Sequence, residues 1–266
     1  MTDCQTTQIA GLMLIDKPGD VRVSSARVVA AVKRRVIAGG APKSVRVGHA
    51  GTLDPLATGL LIILVGRAAT RMSDKLMADE KEYETRIDLA HSSQTEDYEG
   101  PLEPNPAPAS TPTRADVDRV LTGFRGVIQQ RPPAFSAMKV DGQRAYAEAR
   151  KGNLIELAER PVIIHAIDVM GYAYPFLDLR IHCGKGTYIR SMGRDIGLAL
   201  SGHAGCLANL RRTAIGAYRI EKSVRLDDLP DRLVQADLLP VPEINPLPPP
   251  PPPFPPFPPL HSSPTT

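Results

Sequence analysis

Apolar and polar positions repeat along the chain with two different periods, which predict strands in some segments and helices in others. The apolar run Gly11–Ile15 predicts a strand that ends in a turn of proline and glycine. The run Leu60–Val65 is continuously apolar and bounded by glycines, which is typical of a strand buried on both faces. Residues 81–90 and 176–183 alternate apolar with polar side chains, so each predicts a strand with one buried face.

Helical spacing of apolar residues predicts a first helix that begins at Ser24 or Ser25 and ends at Gly39. Its inward-facing residues are Val28, Val29, Val32 and Val36. Further helices are predicted over 113–123, 144–151 and 188–200, and further strands over 162–169 and 217–220. Because strands and helices do not alternate regularly, the pattern predicts an α+β fold with a mixed, mostly antiparallel central sheet.

The composition changes abruptly at residue 240. Residues 248–259 are nearly all proline, interrupted by two phenylalanines. Such a segment forms an extended polyproline II chain without a packed core. We therefore divide the chain into a folded domain, 1–239, and a proline-rich disordered tail, 240–266, which acts either as a spacer or as a ligand for a proline-binding partner.

The bulk composition is that of an ordinary globular protein, with 42% hydrophobic residues, 23% charged residues and a net charge of +3. No apolar run approaches the roughly 18 residues needed to span a bilayer. The first ten residues also lack the basic start of a secretory signal. We therefore expect a cytoplasmic protein with no membrane partner.

The cysteines, Cys4, Cys183 and Cys206, are an odd number at wide spacings, which favours free thiols over disulfides. Histidines near two of them lack the paired Cys-x-x-Cys spacing of a structural zinc site, so we expect no metal. Basic residues cluster at Lys33–Arg35 and Arg211–Arg212. That distribution fits an RNA partner and equally fits an ordinary solvated surface.

The segment Gly48–Leu60 contains the strongest candidate for chemistry. Its three glycines and one proline, directly before a buried strand, predict a rigid loop at the edge of the sheet. Pro55 biases Asp54 toward an extended backbone and so fixes the direction of its carboxylate. Asp54 is a candidate base or nucleophile, although Asp-Pro pairs also cap turns. Residues 184–187 do not form a phosphate loop, because the first glycine and the Ser or Thr after the lysine are missing.

The run G-H-A-G-T-L-D-P-L-A-T-G-L over 48–60 closely resembles the catalytic motif of the TruB-type pseudouridine synthases. Five further stretches follow the order of that family, together with D-K-P-G near the start of the chain. They are K-E-Y-E (81–84), S-Q-T-E-D-Y-E-G (93–100), R-P-P-A-F-S-A-M-K (131–139), K-G-T-Y-I-R (185–190) and L-R-R-T (210–213). The resemblance spans about 11–220 and implies the pseudouridine synthase fold, in which helices flank the central sheet.

The resemblance implies an isomerase that converts a uridine in the T-loop of tRNA (position 55) to pseudouridine without metal or organic cofactor. It identifies Asp54 as the catalytic carboxylate. Arg190 is similar to the cation that keeps this carboxylate ionised, and Tyr83 to the tyrosine that stacks on the target base. Whether Asp54 forms a covalent adduct or removes a ribose proton stays open.

The resemblance also implies how RNA is bound. The target base must be flipped out of the folded loop, and His49 is similar to the histidine that occupies the space the base leaves. Tyr188 and Leu210 correspond to residues that line the uracil pocket. Residues 131–160 correspond to an insertion that clasps the T-arm.

Three alternatives accompany this interpretation. A tRNA-binding or tRNA-folding protein on the same scaffold would not need Asp54, Tyr83 and Arg190 together. A guide-RNA-dependent relative would rely on a C-terminal RNA-binding domain, whereas this chain continues into prolines. We expect weaker or less selective tRNA binding for that reason.

A scaffold role for the tail is compatible with catalysis. We expect a monomer with no DNA partner.

Overall fold

The computed structural model describes residues 9–19, 23–136, 139–140, 143–144 and 157–242. Its strands are β1 (Gly11–Lys17), β2 (Val47–His49), β3 (Thr58–Val65), β4 (Lys81–Asp88), β5 (His91–Ser92), β6 (Glu103–Pro104), β7 (Gly126–Gln130), β8 (Lys139–Val140), β9 (Gln143–Arg144), β10 (Arg160–Ala173), β11 (Phe176–Cys183), β12 (Cys206–Ile215), β13 (Tyr218–Arg219) and β14 (Val224–Arg225). Its helices are α1 (Ser25–Ala38), α2 (Gly66–Thr70), α3 (Ser73–Ala78), α4 (Arg114–Thr122) and α5 (Ile189–Ser201).

Within these described ranges, one large sheet has the strand order β14-β1-β3-β12-β4-β11-β10-β7, with β2 added to β3 and β13 to β12. The pairs β1–β14 and β3–β12 are parallel, and the other neighbours in this sheet are antiparallel. Helices pack against both faces of the sheet. The prediction of an α+β fold with a mixed, mostly antiparallel sheet is therefore confirmed.

Strand β3 lies inside the sheet and is buried on both faces, as its apolar run predicts. Leu61 and Ile63 join the core on the face that α1, α4 and α5 cover. Leu60, Ile62 and Leu64 join a second core with residues of α2 and α3. Because successive strand side chains point to opposite faces, a strand between two helical layers must be apolar at every position.

Helix α1 forms where the spacing of its valines predicts. The Ser24 side chain accepts a hydrogen bond from the backbone N–H of Arg27 and caps the first turn. Val28, Val32 and Val36 are buried against the sheet, whereas Val29 is half-buried. Gly39 ends the helix and packs so closely on Leu233 that a Cβ would lie 2.0 Å from its carbonyl oxygen, so a larger residue would displace the chain there.

The sequence pattern misses β12 and underestimates β10. Strand β12 interrupts its apolar positions with a fully buried arginine, Arg212, and this breaks the alternation that identifies a strand. Of the helix predicted over 144–151, Arg144 pairs with Lys139 in a two-stranded ladder, and the rest lies outside the described residues. The strand predicted at 217–220 is the shorter β13 and is not the last, because β14 follows it.

Cys183 and Cys206 are buried free thiols, as predicted, and burial raises the pKa of Cys183 to about 11. Cys4 lies outside the described residues, as does the predicted tail beyond residue 242. In the part of the chain that the structure describes, no helix has both the length and the apolar composition to cross a bilayer.

Truncation of a side chain on β3 tests the two-sided core. Ile63 is fully buried, so Ile63→Ala leaves a cavity and should lower the free energy of unfolding by about 2–5 kcal/mol. The control Val127→Ala removes a side chain that is 68% exposed and should change it by less than about 0.5 kcal/mol. Urea unfolding of both variants measures this, and equal losses would contradict the packing described.

Candidate active site

The loop between β2 and β3 carries Asp54 and is held by side chains from several other elements. The Nζ of Lys17, at the end of β1, donates hydrogen bonds to the carbonyl oxygens of Pro55 (2.8 Å) and Ala57 (2.6 Å). The hydroxyl of Ser25, at the start of α1, is hydrogen-bonded to both backbone groups of Leu53. The sequence predicts this loop at the edge of the sheet, but the loop leads into an interior strand, β3. Because neighbouring strands flank β3, the loop is fixed from both sides.

Asp54 is held by Arg190, which belongs to the first turn of α5. The Nε of Arg190 donates to one carboxylate oxygen of Asp54 at 2.8 Å, and an Nη donates to the other at 3.3 Å. The remaining donors bind the carbonyl oxygens of Thr95 (2.9 Å) and Phe135 (2.8 Å). Arg190 is 4% exposed, whereas 35% of the Asp54 side chain is accessible. Arg190 thus fixes the orientation of the carboxylate, while part of the Asp54 side chain stays accessible.

The charge of Arg190 is supported by acidic residues of the segment 93–100. Burial disfavours its charged form, but the charges of Asp54, Asp97 and Glu96 outweigh that cost and raise its pKa. Asp97 lies 3.8 Å from the Nε of Arg190 and is itself buried, which raises its pKa. Glu96 also pairs with Arg194, one turn further along α5, at 2.6 Å. The acidic residues of the segment 93–100 therefore lie near the guanidinium of Arg190 and support its charge.

Five of the six predicted site residues line one cavity of about 370 Å³: Asp54, Tyr83, Tyr188, Arg190 and Leu210. They come from the loop before β3, from two neighbouring strands and from the start of α5. Tyr83 lies in β4 and Leu210 in the neighbouring β12, while Tyr188 caps α5 and is anchored through its backbone by the side chain of Gln130. Burial raises the pKa of the Tyr83 hydroxyl, and the charge of Arg212 opposes this rise. The phenol therefore stays protonated at neutral pH.

His49, the sixth predicted residue, lies on the other side of Asp54. It lines a second cavity of about 430 Å³, to which Asp54 and Arg190 also contribute. Its buried Nδ1 has no hydrogen-bond partner among the residues that the structure describes. Burial and the charge of Arg212 lower its pKa, so the ring is neutral at pH 7. The structure thus brings His49 next to the carboxylate but not into the cavity that holds Tyr83.

Sequence reasoning missed four polar side chains of this region: Lys17, Lys81, Ser136 and Arg212. Each lies within one of the stretches that carry the family resemblance, and that is the signal that could have singled them out. Lys17 is fully buried, and burial lowers its pKa to about 8 against the opposing charges of Glu99 and Asp54. Ser136 lines both cavities, and within the described ranges its buried hydroxyl has no hydrogen-bond partner.

Arg212 reaches the same loop as Lys17 from the opposite side. Its Nε donates to the carbonyl oxygen of Leu60 at 2.8 Å, and its Nη atoms approach those of Gly51 (3.1 Å) and Thr52 (3.5 Å). Gly51 has a φ of 91°, which favours glycine at this bend. Among the described residues, no three His, Cys, Asp or Glu side chains gather where they could hold a metal ion.

Residues 37–189 match the TruB family pseudouridylate synthase (N terminal domain). The chain is 44% identical over 227 residues to tRNA pseudouridine synthase B of Thermobifida fusca, covering 82% of this chain and 74% of the relative. It is 38% identical over 238 residues to tRNA pseudouridine synthase B of Opitutus terrae, covering 89% of this chain and 91% of that one.

Solved structures show the same architecture. A chain of a Cbf5-Nop10-Gar1 complex superposes with a TM-score of 0.61 at 28% identity, covering 84% of this chain. A chain of an H/ACA RNP bound to a substrate RNA containing 2′-deoxyuridine gives a TM-score of 0.58 at 26% identity. This chain spans 54% and 52% of those two chains, about half of each. Sequence and fold agree, and the chain belongs to the TruB family of pseudouridine synthases.

Proposed function

We propose that this enzyme isomerises uridine to pseudouridine in the T-loop of tRNA. The observation that carries the proposal is the carboxylate of Asp54, which Arg190 holds at the wall of a cavity shared with Tyr83, Tyr188 and Leu210. The relatives that match most of the chain are named tRNA pseudouridine synthase B, which supports tRNA as the substrate. A tRNA substrate also favours action in the cytoplasm by a monomer that recognises the T-arm.

The reaction needs one carboxylate and a closed pocket for a base. The bond between N1 of uracil and C1′ of the ribose breaks, the uracil turns over, and a new bond forms between C5 and C1′. The proton on C5 is lost and N1 gains one, so atoms and charge balance without redox chemistry. Asp54 either adds covalently or removes a ribose proton. The accessible part of its side chain suits both routes.

Arg190 and the aromatic residues position the carboxylate and the uracil and do not themselves make or break bonds. Arg190 fixes the carboxylate through two hydrogen bonds, and a misplacement of about 1 Å costs on the order of 100-fold in rate. Tyr83 would stack on the uracil, while Tyr188 and Leu210 would close the pocket around it. Aromatic rings and apolar side chains hold a flipped base in this way in other enzymes.

RNA would approach from the side that His49 occupies. A neutral imidazole beside Asp54 is suited to stack where the flipped uridine leaves the RNA, because stacking does not need its charge. The start of α1 lines the same cavity, and Arg27 and Arg34 are exposed on that helix. Residues 131–160 would clasp the RNA, and the carbonyl of Phe135 links the beginning of this segment to Arg190.

The function is tested by incubating the purified protein with an unmodified tRNA transcript, without metal or cofactor, and mapping pseudouridine at single-nucleotide resolution. We expect conversion of the T-loop uridine alone. Modification at another position would contradict the substrate but not the chemistry. Tight binding without any conversion would instead favour a tRNA-binding or tRNA-folding protein.

The rigid attachment of Asp54 predicts a strict requirement for arginine at position 190. Arg190→Lys keeps the charge, but one ammonium cannot reach both carboxylate oxygens and the two carbonyls that the planar guanidinium binds. We expect the single-turnover rate to fall about 100-fold while tRNA affinity stays close to that of the wild type. Arg114→Lys, in an exposed ion pair on α4, is the matched control and should leave the rate unchanged. A wild-type rate for Arg190→Lys would contradict the positioning role.

A further inference from the structure

Arg212 is a buried cation that forms no ion pair with an acidic side chain in the described part of the chain. It is 1% exposed, and no carboxylate of the described residues lies within ion-pair distance of its guanidinium. Its guanidinium donates hydrogen bonds to three backbone carbonyl oxygens and to the hydroxyl of Tyr83, so its partners are neutral groups. A buried charge is normally paired, because burial without a counter-charge is costly. The neighbouring Arg190, in contrast, is neutralised by Asp54.

A second buried cation, Lys81, lines the same cavity as Arg212. Its Nζ donates to the carbonyl oxygens of Met77 and Asp79 and makes no ion pair with a described carboxylate. Burial and the positive charge of Arg212 both lower the pKa of Lys81. Arg212 acts in the same direction on the pKa of His49 and of Lys17. The charge of Asp79 opposes the lowering of the pKa of Lys81. Even so, the cavity that contains Tyr83 has two positive groups, Arg212 and Lys81, that form no ion pair with a carboxylate of the described residues.

The proposed reaction produces negative charge in that cavity. When the bond between N1 and C1′ breaks, its electron pair stays with the uracil. Conjugation spreads the charge from N1 to O2, O4 and C5, and C5 then attacks C1′. This holds whether Asp54 adds covalently to C1′ of the ribose or removes a ribose proton. The charge is absent from the bound uridine and appears only as the bond breaks.

We propose that Arg212 and Lys81 stabilise the negative charge that develops on the uracil when its glycosidic bond breaks. The inference rests on the proposed function and extends it by assigning a catalytic role to two residues outside the Asp54–Arg190 pair. Preorganised cations in a water-poor site favour the transition state over the neutral ground state. They need no reorganisation, because backbone carbonyls already hold both side chains in place.

The position of Arg212 in the sheet supports this role. It lies directly opposite Tyr83 in the pairing of β12 with β4, and Lys81 is two residues from Tyr83 on the same face. A base stacked on Tyr83 would therefore occupy the cavity that both cations and Asp54 line. Arg211 points to the other face, where it pairs with Asp16 at 2.8 Å. One strand thus provides both the test residue and its control.

The test measures single-turnover rates with tRNA containing either uridine or 5-fluorouridine at the target position. Arg212→Gln and Lys81→Gln each remove a charge, and Arg211→Gln is the matched control. We expect each of the first two to slow uridine conversion about 100-fold with unchanged tRNA affinity. Fluorine withdraws electrons from the ring, so the departing base needs less stabilisation. The deficit of both variants, measured as consumption of the target nucleoside, should therefore be clearly smaller with 5-fluorouridine.

A purely structural role for these residues would slow both substrates equally, and that result would overturn the proposal. Wild-type rates for both variants would do the same. If circular dichroism shows that Arg212→Gln does not fold, Lys81→Gln decides alone, since its hydrogen bonds to described residues go to the backbone carbonyls of 77 and 79. A wild-type enzyme that forms no pseudouridine would instead overturn the proposed function and this inference with it.

Discussion

The ion pair between Arg190 and Asp54 joins parts of the chain that are far apart in sequence. The two residues are 136 positions apart, and the same guanidinium also binds the backbone of 95 and 135. A buried arginine is stable only if its donors are satisfied and its charge is balanced. The helix α5, the loop that carries Asp54, the segment 93–100 and the chain at Phe135 must therefore all be in place around it.

The sheet makes this convergence possible. Strand β3 is held between two helical layers, so the loop before it starts from a rigid base, and Lys17 and Arg212 bind that loop's carbonyl groups from either side. Asp54 consequently projects between two cavities. One carries aromatic and apolar side chains for a base, and the other carries His49. The carboxylate of Asp54 thus lines both cavities, so the function proposed above would bring base chemistry and RNA binding together at this residue.

Local patterns were sufficient for the elements that bury a continuous or periodic apolar surface. The valines of α1 and the apolar run of β3 have no other stable arrangement. Strand β12 was not predictable in this way, because the buried Arg212 is a polar residue where the pattern requires an apolar one. Its burial depends on carbonyl groups of a loop about 160 residues earlier, which no local window contains.

The candidate site likewise contains residues that the sequence could identify and others that it could not. Family resemblance named six residues, and the structure brings five of them into one cavity. The resemblance could not show that His49 lines a separate cavity, because that depends on the path of the loop around Asp54. Nor could it single out Lys81 and Arg212, since a lysine and an arginine in a sequence do not reveal whether a carboxylate will lie beside them in the fold.

The most direct test of the central claim is the single-turnover rate of pseudouridine formation by Asp54→Asn, measured beside tRNA affinity. Asparagine keeps the shape of the side chain and can still accept hydrogen bonds from Arg190, but it cannot act as a nucleophile or base. We predict no detectable pseudouridine and undiminished tRNA binding. Measurable turnover by the purified variant would show that the carboxylate held by Arg190 is not the catalytic group.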